Sequence, residues 1–133
     1  MHEKTFTVGE ARAAIPHLRD KLATLRAERA SLVELHPFID KARERAEQNG
    51  GSPFGELYLT HAFSFAEALD EVERTGAIIK DFTAGLVDFP HEHDGRIVYL
   101  CWKLGEDELT WWHEIEDGFA GRQPIEDIFE KSH

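Results

Sequence analysis

The sequence predicts an α+β fold: a long antiparallel helical hairpin, then a small three-stranded antiparallel sheet and a short C-terminal helix. Three observations predict it. Apolar residues recur at alternating steps of three and four through two long segments. The stretch Asn49–Gly55 (N-G-G-S-P-F-G) separates those segments with loop chemistry. After Gly76 the hydrophobic period shortens to that of β-strands. With 133 residues, 41% of them hydrophobic, the chain fits one domain over 1–133, divided into a hairpin over 7–75 and a sheet with helix and tail over 76–133.

The first helix opens on a T-x-x-E capping box, Thr7 with Glu10. Ala11, Ile15, Leu18, Leu22, Leu25 and Leu32 then form its stripe, and the same seam reaches Arg29, His36 and Ile39. Pro16 is expected to kink the helix, and Pro37 to kink or end it. A helix from about Val8 to Leu35 is some ~40 Å long at ~1.5 Å per residue. The second stripe is Phe54, Tyr58, His61, Phe65, Leu69 and Val72, with Gly76 as the residue that ends the helix in the left-handed conformation. Arg29, His36 and His61 interrupt the apolar seams; such residues either fix register and oligomeric state or snorkel to solvent.

Ala77–Phe82, Leu86–Pro90 and Arg96–Leu104 read as three strands, the last two joined through a turn containing Asp94-Gly95. Glu106–Asp117 reads as the short helix, carrying Trp111, Trp112 and His113, and Ile125–Phe129 as a last helical turn. The apolar stripes of the hairpin are too long for so small a sheet to cover. The expected consequence is a homodimer in which two hairpins form a four-helix arrangement.

Fifteen Lys and Arg stand against 26 Asp and Glu, a net charge of −11. This balance argues against nucleic-acid and anionic-membrane partners, whose phosphates demand basic surfaces. Neither a membrane-spanning run nor a leader's apolar segment is read from the sequence, so the expected location is cytoplasmic. One cysteine supplies neither an internal disulfide nor a four-thiolate zinc site. Phosphate-binding glycine loops, serine-nucleophile elbows and zinc-finger spacings are all missing from the sequence.

The residue types that carry chemistry concentrate between Cys101 and Arg122. Trp102, Glu106, Trp112, His113 and Arg122 fall there, with Asp81 and Asp88 on neighbouring strands, and these seven are the candidate ligand-binding residues. Glycines flanking Phe119 and leading to Arg122 suggest backbone bent to present side chains. On the expected helix, His113 and Asp117 share a face at i and i+4, with Glu106 in reach. That set suits a divalent metal such as zinc, manganese or iron, with Glu114 as a base. His91 and His93 form a second pair in H-E-H-D-G, where a solvated turn is the expected setting. Cys101 is the one available thiol, and a mid-strand position favours a buried hydrophobe over a nucleophile.

The segments Lys80-Asp81, G-L-V-D-F-P (Gly85–Pro90), V-Y-L-C-W-K-L-G-E (Val98–Glu106), W-H-E (Trp112–Glu114) and G-F-A-G-R-Q-P (Gly118–Pro124) resemble the bacterial family called domain of unknown function 2203. The opening F-T-V-G-E-A-R-A-A-I-P is similar to that family's first helix. The resemblance supports the architecture and the site's location, and it brings no reaction. Two functions are therefore expected in order: a non-enzymatic dimeric scaffold or binding module whose Trp/His/Arg region takes a small ligand or a partner protein, then a small metal-assisted hydrolase built on His113.

Overall fold

A computed structural model describes residues 4–49 and 54–125, with backbone alone for 42–49. The chain runs through helix α1 (Val8–Asn49), helix α2 (Gly55–Thr75) and strands β1 (Ile78–Asp81), β2 (Leu86–His93), β3 (Arg96–Lys103), β4 (Trp111–His113) and β5 (Gln123–Pro124), with a 3₁₀ turn at Phe119–Gly121. The five strands form one antiparallel meander in the order β1-β2-β3-β4-β5. The fold is α+β, as the sequence predicts, but with five strands where three were expected.

The capping box forms as read. Glu10 N–H donates to Thr7 Oγ1 at 3.0 Å, and Thr7 N–H donates to Glu10 Oε1 at 2.9 Å. Beyond it α1 outruns the expected end at Leu35, because both Pro16 and Pro37 lie within a helix that continues to Asn49. Each proline is solvent-exposed, so water can satisfy the carbonyl that its missing N–H leaves free. At 42 residues α1 is about 63 Å long. Helix α2 ends at Gly76, whose φ of 94° closes the last turn with an N–H bond to Glu73 O at 3.1 Å.

The two helices are tied along their length by Lys21 Nζ to Glu71 Oε2 at 2.9 Å, His61 Nδ1 to Glu28 Oε2 at 2.8 Å, and Phe38 against Phe54. His61 thus pairs across the hairpin, while Arg29 and His36 face solvent.

The core lies where the near half of the hairpin meets one face of the sheet. Ala11, Ile15, Leu18, Leu22, Leu25, Ala68 and Val72 pack with Val87, Phe89, Leu100, Trp102, Leu109 and Trp112. Full burial of such side chains contributes about 1.5–3 kcal/mol each. Arg12 Nε and Arg19 Nη2 donate to the carbonyls of Leu109 and Asp107, both at 3.2 Å, which pins the β3–β4 connection onto α1.

Two further expectations change in detail. The segment Glu106–Asp117 forms no helix; it is a turn, strand β4 and a second turn. Glu106 Oε1 instead accepts Lys103 N–H at 2.8 Å and closes the chain back on β3. The H-E-H-D-G segment is no solvated turn, because β2 runs through His93 and only Asp94-Gly95 turns. The expected turn at Ile125–Phe129 lies, after Ile125, outside the described residues. Among the described residues, no helix is long and apolar enough to cross a membrane.

Candidate functional site

The register of the sheet decides which side chains meet. Asp94 and Gly95 have φ of 52° and 79°, the pair of left-handed residues of a two-residue hairpin turn, so His93 stands opposite Arg96. Counting back along the ladder puts Asp88 opposite Cys101. Strand β4 adds His113 opposite Tyr99 and Trp111 opposite Cys101. With side chains alternating faces, Asp88, Tyr99, Cys101, Trp111 and His113 share the outer face, away from the helices.

Asp88, Cys101 and His113 are each at most 2% exposed. His113 Nε2 is 3.1 Å from Asp88 Oδ1, and His113 Nδ1 donates to the backbone carbonyl of Glu114 at 2.7 Å. The Tyr99 ring meets the imidazole edge-on, with centroids 5.6 Å apart. Burial, reinforced by the nearby Asp88 charge, pushes the Cys101 thiol up to about 12. An unliganded Cys101 is therefore a thiol and no nucleophile. A cavity of about 150 Å³ opens beside the cluster, lined by Lys80, Leu86, Asp88, Tyr99, His113 and Phe119 among others.

The segment after β4 folds back over this face. Gly118, at φ 64°, starts the 3₁₀ turn that lays Phe119 by the cavity. Arg122 Nη2 donates to both Glu106 carboxylate oxygens, at 2.9 and 2.7 Å. Its guanidinium also lies 5.0 Å from the Trp111 ring centroid and 4.6 Å from that of Phe119. These contacts hold the covering segment down, so that a buried polar cluster sits beneath a loop.

The structure brings together only part of the candidate set. Asp88 and His113 meet, and Cys101 joins them. Glu106 and Arg122 pair with one another. Trp102 and Trp112 face the helices inside the core, with Trp102 Nε1 donating to Glu106 O at 3.2 Å. Asp81 caps the β1–β2 turn by accepting Ala84 N–H at 3.0 Å.

The set of His113, Glu106 and Asp117 is not gathered. The helix that would align it does not form, Glu106 is held by Arg122, and Asp117 is exposed in the turn after β4. Among the described residues, the group of ligating side chains close enough to hold a metal is Asp88, Cys101 and His113, with ligand atoms within 4.8 Å of one another. Glu114, the expected base, pairs with Arg96 at 2.7 Å. His91 and His93 do lie on one side of β2, their rings near parallel and 6.3 Å apart. They face the helices, where His91 Nδ1 donates to Phe6 O at 2.7 Å.

Cys101 is the member of the cluster that the sequence reading placed with no ligand set. The Asp94-Gly95 turn carries the signal that finds it, since a two-residue turn fixes the whole β2–β3 register.

The chain matches the family described as Uncharacterized conserved protein (DUF2203) over residues 4–125, and it belongs to that family. No curated protein and no solved structure matches it.

Proposed function

We propose that this family member is a homodimeric binding module: the far half of the hairpin joins two copies, and the outer face of the sheet takes a small ligand. One observation carries the dimer. Between Leu25 and Ala68 no described residue of either helix is buried, yet this half presents Val33, Phe38, Leu57, Leu59 and Phe63 to solvent, Phe63 at 71% exposure. Leu59 and Phe63, four apart on α2, share one face. Exposed apolar residues concentrated on a projecting arm signal an association surface.

Charge favours a second copy as the occupant. Residues 26–49 and 54–67 together hold five basic and seven acidic residues, whereas 76–133 hold five and thirteen. The arm is where two chains of net charge −11 can approach without strong repulsion. Two such arms packed antiparallel make a four-helix bundle closed by a twofold axis.

The size of the cavity beside Asp88 and His113 favours a small ligand over a peptide. Light scattering at micromolar concentration tests the module as a dimer. The expected mass is about 30 kDa, twice the chain's 15.2 kDa. A clean single-chain mass contradicts the proposal.

A further inference from the structure

We propose that Asp88, Cys101 and His113 form a divalent-metal site, with zinc as the ion their chemistry fits best. The site goes beyond the dimer reading and stands without it, since all three ligands come from one chain.

Three adjacent strands each contribute one ligand: Asp88 from β2, Cys101 from β3 and His113 from β4. Their placement is fixed by backbone register, which is the rigid support a metal site needs. One carboxylate, one thiolate and one imidazole make a mixed set in which the thiolate selects for zinc over manganese or magnesium.

Tetrahedral zinc bonds of about 2.0–2.3 Å imply ligand–ligand edges of roughly 3.3–3.6 Å. The His113–Asp88 edge is 3.1 Å, and all three ligand atoms lie within 4.8 Å of one another. Small side-chain adjustments therefore suffice to seat an ion.

The histidine is oriented as a metal ligand is. Its Nδ1–H is committed to the Glu114 carbonyl, the outer-shell bond that fixes the tautomer and ring angle of ligating histidines. The other ring nitrogen, Nε2, is aimed at Asp88 Oδ1 across 3.1 Å, so an ion seated beside the pair meets a nitrogen and a carboxylate oxygen together.

The fourth position opens onto the cavity. Asp88 and His113 line it and Cys101 does not, so an ion between the three would be approached from the side where Lys80 and Tyr99 stand. Three protein ligands with one open position leave room for water or a small anion.

The competing arrangement places a proton on Nε2, giving an imidazolium–Asp88 pair with no metal. Cobalt(II) distinguishes the two. Because Cys101 is the only cysteine in the chain, a cobalt–thiolate charge-transfer band in the intact wild-type protein reports this site alone. The expected result is one cobalt per chain with that band, displaced by zinc.

Cys101→Ser is expected to abolish the band. Asp88→Asn is expected to weaken zinc binding by more than the roughly 10–100-fold that loss of an outer-shell partner costs. Both variants are checked for retained circular dichroism. Absence of the band from folded, chelator-treated wild type overturns the site whatever the variants do. So does zinc binding of wild-type strength by folded Cys101→Ser.

Discussion

Asp88 Oδ1 and His113 Nε2 meet 3.1 Å apart on the outer face of the sheet, both almost wholly shielded from water. A β-sheet of this size could cover that face with apolar residues. It instead buries a carboxylate and an imidazole under a loop, and pays their desolvation. Removing one partner leaves the other buried without its partner, so Asp88→Ala in the metal-free protein is expected to cost about 3–5 kcal/mol of stability. Urea unfolding followed by tryptophan fluorescence measures it. A loss below about 1 kcal/mol, the level of an ordinary exposed pair, contradicts this reading.

Glu106 and Arg122 act as the clamp on the covering segment. Glu106→Gln keeps an acceptor for Lys103 N–H but removes the charge that faces Arg122. The expected loss is about 1–3 kcal/mol, the worth of a charge-assisted hydrogen bond. Metal uptake is expected to persist, since Glu106 is outside the ligand set. A Glu106→Gln variant that keeps its stability and loses metal would restore Glu106 as a ligand.

Cys101 is expected to resist alkylation. With its thiol raised to about 12 by burial and by Asp88, the thiolate fraction at pH 8 falls about a thousand-fold below that of an ordinary cysteine. Iodoacetamide labelling of chelator-treated protein checks this by mass. Label is expected in urea and almost none in the native state; native labelling at the rate of a free thiol contradicts it.

The capping box gives a pH dependence of known sign. The Thr7 backbone N–H bond holds the Glu10 carboxyl below its ordinary value of 4.5. A depressed carboxyl contributes stability above its unfolded value, and that contribution disappears as pH falls through the folded one. Thr7→Ala is expected to cost about 1 kcal/mol at neutral pH. Thermal unfolding of wild type and Glu10→Gln, which keeps an acceptor for the Thr7 N–H but cannot ionise, is expected between pH 7 and pH 3 to show the gap narrowing as the pH drops. A gap that widens toward acid contradicts the assignment.

Much of this structure is legible in the residues. The capping box, the two stripes and Gly76 each act through local chemistry, and local chemistry is what sequence displays. Strand β4 is only three residues long, too short to show a period of two. The preceding Glu106-Asp107-Glu108 also imitates the acidic first turn of a helix. That misreading set His113 on a helix face with Asp117, when it belongs on a strand beside Asp88.

The H-E-H segment hid its strand because both histidines and the glutamate are polar, although the Asp94-Gly95 turn requires its flanking strands to reach it. Asp88 and His113 were visible as candidates. Their meeting with Cys101 depends on tertiary register.

If the exposed arm joins two copies of the chain, charges placed on it must separate them. The native mass of a Leu59→Glu, Phe63→Glu variant, measured beside wild type at the same concentration, reads the interface itself. Wild type is expected to be a dimer and the variant a single chain of 15.2 kDa with unchanged helix content. A variant that keeps the wild-type mass would place the interface elsewhere and contradict association through the arm.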